Sequence, residues 1–135
     1  LCEQLHDPAN RIVPAFETLD SNGMPRPKIS YKLDDYVKSG IAVAVQTQQK
    51  MLDALGCTQQ NHSSPWGAGH IVGTARMGDD PKTSVVDKNL RCHDHKNLFI
   101  LGSSVFPTVA ASNPTLTIAA LTLRAVREVQ NMLEQ

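Results

Sequence analysis

Asn97-Leu98-Phe99-Ile100-Leu101-Gly102-Ser103-Ser104-Val105-Phe106-Pro107-Thr108, continued by Ser112-Asn113-Pro114-Thr115-Leu116-Thr117-Ile118, sets the architecture of this 135-residue chain. Its first six residues read as a buried strand: a short apolar run closed by glycine. Residues 103–113 read as irregular. Asn113-Pro114 then opens a helix that is expected to end near Leu133, because Asn is a favoured N-cap and Pro is favoured at the first helical position. Leu116 to Leu123 is apolar nearly all round, so this half of the helix is expected to be deeply packed. Arg124, Arg127 and Glu128 return the second half to water. A helix start carries unpaired N–H groups and about half a positive charge, so it favours an anion or a developing negative charge.

Moving outward, His70-Ile71-Val72-Gly73-Thr74-Ala75-Arg76-Met77-Gly78 sets an imidazole beside a glycine-rich bend. A neutral histidine near a helix start is a candidate general base. Short extended pieces are expected at 70–74 and 84–87. Upstream, Asp34 is a plausible N-cap for a helix over 34–55. Val37, Ile41, Ala44, Val45, Gln48, Leu52 and Leu55 form its stripe, and Gly56 sits where a glycine stops a helix. Before it, Arg11–Thr18 and Lys28–Leu33 read as two strands joined by Leu19-Asp20-Ser21-Asn22-Gly23, with Pro25 and Pro27 prolonging the loop. Residues 1–10 read as a polar lead-in. The expected fold class is α+β.

Composition narrows the function. Thirteen basic and thirteen acidic residues cancel, and aromatics are 4% of the chain. Neither a charge excess nor a stacking platform for nucleic acid is present, nor an excess for an anionic membrane surface. No apolar run approaches the ~20 residues of a membrane span. Leu1-Cys2-Glu3-Gln4 has neither an initiator methionine nor the pattern of a secretory signal, so the chain reads as an excised or processed piece of something longer. Cys2, Cys57 and Cys92 are too few for a disulfide framework and read as a mild sign of a reducing compartment. Cys57 and Cys92 read as inert or surface thiols.

These motifs together resemble the C-terminal part of the glucose–methanol–choline (GMC) family of flavin-dependent oxidoreductases. His70 to Gly78 is similar to the family's H-x-x-G-T-x-R-M-G segment. Val85-Val86-Asp87 with Leu90-Arg91 is similar to its V-V-D-x-x-L-R, and Asn113-Pro114-Thr115 to its N-P-T. Ser104-Val105-Phe106-Pro107-Thr108 looks most like the gluconate, fructose and polyol dehydrogenase branch. The resemblance implies FAD as cofactor and a CH–OH group of an alcohol, sugar or polyol as substrate. His70 is then the base that takes the hydroxyl proton, and Asn113 the residue that holds the substrate oxygen. Gly102, Ser103, Ser104, Asn113, Pro114 and Thr115 are then contacts to FAD. Many relatives carry Asp where Gly102 stands. Residues 1–84 would belong to a substrate domain and 85–135 to an FAD domain, with the dinucleotide fingerprint in an N-terminal half outside this chain. That half is the expected partner, and self-association of the isolated piece is expected to compete with it.

Other assignments are weighed beside these. Gly67-Ala68-Gly69-His70-Ile71-Val72-Gly73 is one residue too long for a dinucleotide loop and follows no strand. Arg76 is expected to be structural, paired with Asp87 or Asp79. Thr74 and Thr115 read equally as flavin contacts or turn hydroxyls. Cys92-His93-Asp94-His95, with Cys57, His62 and His70, admits a small metal-binding domain as a lesser alternative, though no paired C-x-x-C supports zinc. A non-catalytic binding or assembly module is the other alternative.

Overall fold

A computed structural model describes residues 2–58, 67 and 69–134. His62 and Ala68, invoked above, lie outside them. Among the described residues four regular elements appear in the order β1 (Arg11–Leu19), β2 (Pro25–Ser30), α1 (Asp35–Ala54) and α2 (Thr115–Leu133), with one 3-10 turn at Ser103–Val105. The fold class is α+β.

The ribbon forms around its turn. Asp20 Oδ1 accepts from the amides of Asn22 (2.8 Å) and Met24 (2.9 Å), and Gly23 takes the positive φ of 77° that the turn requires. β1 and β2 pair antiparallel, with Arg11 opposite Ser30 and Pro14 opposite Pro27. The return strand thus begins at Pro25, earlier than expected, and includes both prolines. Proline can sit there because each strand of a two-stranded ribbon has an unpaired outer edge, where a missing N–H costs no ladder bond.

α1 starts where its cap predicts: the Asp34 carboxylate accepts from the Val37 amide at 2.9 Å. It stops at Gly56, whose φ is 70°. Residues 2–10 tie these parts together. Asn10 and Lys32 exchange two hydrogen bonds, and the Tyr31 hydroxyl donates to Gln4 Oε1 at 2.8 Å.

The core lies in the C-terminal part. Val86, Leu90, Val105, Phe106 and Ala125 are buried together, with Val72, Met77, Ile100, Ile118 and Leu121 packed around them. An Asx-type loop builds this core: Asp87 Oδ1 accepts from the amides of Asn89 (2.8 Å) and Arg91 (3.1 Å). That loop turns the fully buried Leu90 inward at φ 65°, in the left-handed region.

Three expectations are corrected here. The segment 97–102 is not a buried strand: it makes one bridge, Arg91 to Phe99, and Leu98 and Leu101 stay 42% and 43% exposed. Among the described residues its ladder-type partners are in the 90–92 backbone, and Ile100 packs on the core while Leu98 and Leu101 stay exposed. The segments 70–74 and 84–87, expected as short extended pieces, join no ladder; Met77–Val86 and Val86–Cys92 are single bridges. The apolar half of α2 is not deeply packed either, since Leu116 is 83% and Leu123 69% exposed. Only the side carrying Ile118, Leu121 and Ala125 meets the core. The surface area of 10389 Å² far exceeds the roughly 6,900 Å² of a compact monomer of this mass. No described helix is long and apolar enough to cross a membrane.

Candidate active site

Three alternating amides fasten the His70 segment to the 3-10 turn. Gly73 N–H donates to Ser103 O (3.3 Å), Ala75 N–H to Ser104 O (2.9 Å) and Met77 N–H to Val105 O (2.8 Å). The start of α2 closes the third side, because Ile118 and Ala125 anchor that helix on the same core. Between these walls lies an open pocket of about 410 Å³, lined by Gly69, His70, Ile71, Ser103, Asn113, Pro114, Thr115 and Ile118.

The structure therefore brings His70 and Asn113, 43 residues apart in sequence, to one cavity together with Ser103, Pro114 and Thr115. Gly102 and Ser104 are not on its wall. The Ser104 carbonyl is taken by Ala75, and Gly102 bends the chain into the 3-10 turn with φ 98° and ψ −168°. L-residues rarely adopt that conformation, so glycine is the residue this bend needs.

The helix start differs from expectation in one respect. Pro114, not Asn113, occupies the N-cap position of α2, and no side chain caps it. Proline's fixed φ begins the helical backbone one residue early, which leaves the Asn113 carboxamide out of the cap. No acidic residue lies in the first turn. The pocket thus meets an uncapped, positively polarised helix end.

Arg76 is structural, but not through Asp87 or Asp79. Its guanidinium donates from Nε (3.1 Å) and Nη2 to the Thr83 carbonyl. The one ion pair among the described residues is Lys38 with Asp35. In the Cys92-His93-Asp94-His95 run, Cys92 is buried and His93 Nε2 lies 3.1 Å from Gly78 O and 3.0 Å from Ser84 Oγ. No three His, Cys, Asp or Glu side chains among the described residues converge on a point.

Sequence reasoning missed His6, which it left in a polar lead-in. The imidazole packs against Gly73, with its Nε2 buried and unpartnered. Desolvation, then the positive charge of Arg76, lowers its pKa, partly offset by a hydrogen bond to the Phe106 backbone. The unfolded chain therefore takes up this proton at a higher pH than the folded one. Stability contributed by neutral His6 is fully present above the ordinary histidine value, ~6.5, and is lost as pH falls through the window below it. The expected result is a melting temperature that drops on acidification below that value, with a shallower drop in His6→Asn. Parallel pH profiles for the two proteins would refute it.

A family model described as GMC oxidoreductase matches residues 15–122. The chain belongs to this family, through its C-terminal domain. It is 39% identical over 134 residues to the fructose dehydrogenase large subunit of Gluconobacter japonicus, covering 98% of this chain and 25% of the relative. It is 47% identical over 62 residues to the gluconate 2-dehydrogenase flavoprotein of Pantoea cypripedii, covering 44% of this chain and 10% of the relative. With pyranose 2-oxidase of Tricholoma matsutake it shares 32% over 124 residues, 84% of this chain and 21% of the relative. The chain thus spans at most about a quarter of the length of these relatives.

Proposed function

We propose that this chain supplies the catalytic half-site of an FAD-dependent oxidoreductase acting on a CH–OH group of a sugar, polyol or other alcohol. The observation that carries the reading is the shared pocket of His70 and Asn113 at the uncapped start of α2.

The residues fit a flavin. An uncapped helix end with no acidic neighbour suits the electron-rich pyrimidine side of the ring, and Ser103, Pro114 and Thr115 offer backbone close by. Bound FAD supplies the acceptor, its N5, for the hydride leaving the alcohol carbon. His70 takes the hydroxyl proton on a ring nitrogen as the alkoxide character develops. Asn113 donates from its carboxamide to the same oxygen and fixes its direction. Ile71 and Ile118 form the apolar part of the wall, against which the carbon skeleton of the substrate would lie.

The remainder of the active site belongs to an N-terminal FAD-binding half of the same polypeptide. The apolar surface of α2 at Leu116 and Leu123 is where that half would pack, and its exposure here supports the assignment. In this arrangement residues 1–84 sit on the substrate side and 85–135 on the cofactor side. The isolated 135 residues are then inactive and bind FAD weakly.

The names of the relatives favour a cyclic or open-chain sugar over a simple alkanol. The test is anaerobic bleaching of the flavin in a polypeptide containing both halves, over a panel of hexoses, aldonates and simple alcohols. Bleaching by a sugar or polyol is expected. A protein that binds no FAD, or whose flavin no member of the panel reduces, would overturn the reading.

A further inference from the structure

We propose that His6 is a positioning residue for the reaction assigned above, its imidazole seated against the bare backbone of Gly73 so that the stretch leading into Gly73 presents His70 to the pocket. The inference rests on that functional reading, but its geometry stands apart from it.

A Cβ on Gly73 would overlap both Cε1 and Nε2 of His6. The ring edge therefore occupies the space any other residue at position 73 would need. Gly73 is three residues from His70, has φ 81°, and hands its N–H to Ser103, another pocket residue. The buried Nε2 of His6 has no hydrogen-bond partner, so the ring is held there by packing. The ring thus ties the lead-in to the His70 loop.

The lead-in that carries His6 is itself tied to α1 and to Tyr31, just past β2. Glu3 reaches the Tyr36 hydroxyl at 3.5 Å and Gln4 the Tyr31 hydroxyl at 2.8 Å. Cys2 lies where a Cβ on Gly40 would come within 3.8 Å of its sulfur. Residues 2–6 consequently form a strap from α1 and the ribbon's exit to the His70 loop. Through His6, the placement of the ribbon is coupled to the placement of the base.

The experiment uses the FAD-loaded polypeptide containing both halves, with His6→Asn, Gly73→Ala and the double variant. Asn keeps a polar side chain and removes the ring edge that meets Gly73. His6→Asn is expected to lower kcat about 10-fold or more, the scale of a misplaced reacting group, with KM and FAD content unchanged. An unchanged kcat would overturn the proposal. Independently of activity, Gly73→Ala should lower the melting temperature less in the His6→Asn background than in the wild type, because the blocking ring edge is gone. Equal decrements would also overturn it. If the wild-type polypeptide holds no FAD, the functional reading fails by itself, while the melting experiment still reports on the His6–Gly73 contact.

Discussion

His70→Ala, in the polypeptide containing both halves and loaded with FAD, is expected to slow flavin bleaching by its best sugar at least ~10²-fold. Loss of a general base at the point of proton removal has that size. The substrate hydroxyl would then have to surrender its proton to water, a weaker acceptor that nothing holds in place. FAD content should stay unchanged, because His70 is half-buried at the pocket rim and outside the buried core. The check is stopped-flow reduction at saturating sugar. A rate equal to wild type would remove His70 from the chemistry and leave Asn113 and the helix end without a proton acceptor.

The second large effect concerns folding. Leu90→Ala is expected to cost ~2–5 kcal/mol, the range for truncating a well-packed buried leucine. Leu90 is fully buried in the cluster with Val86, Val105, Phe106 and Ala125. Its left-handed backbone is held by the Asp87 carboxylate and by two further bonds, Leu90 N–H to Asp87 O and Ile100 N–H to Leu90 O, each 3.0 Å. The neighbourhood is thus pinned and cannot collapse onto a cavity. Against a typical stability of ~5–15 kcal/mol, such a loss is large. Chemical denaturation of the FAD-free polypeptide measures it. A midpoint within experimental error of wild type would mean that this core does not hold the pocket together.

Where local chemistry is decisive, the sequence is readable. Asp34 and Gly56 bracket α1 because capping and positive φ are properties of single residues and their near neighbours. Asp20 and Gly23 make the ribbon turn for the same reason. The pairing of His70 with Asn113 was legible only as a set of ordered motifs, since no periodicity links two residues in different loops. The exposure of Leu98 and Leu101 was not legible, and that of Leu116 and Leu123 only through the expected self-association: an apolar run looks the same whether its cover belongs to this stretch of chain or to another. Pro25 and Pro27 misled because the rule against proline in sheets is weak in a ribbon with two outer edges. His6 escaped because nothing in its own neighbourhood marks it; only the missing side chain of a distant glycine makes room for it.

The alternating amides of Gly73, Ala75 and Met77 carry a dynamic corollary. Because they bind consecutive carbonyls of the 3-10 turn, neither bank of the cavity can swing outward without breaking the whole set. Breathing should therefore be concerted, and these three protons should exchange with deuterated solvent at a common opening free energy rather than one by one. A sugar that immobilises either bank would slow all three alike, so isotope uptake at positions remote from the ligand would register its arrival.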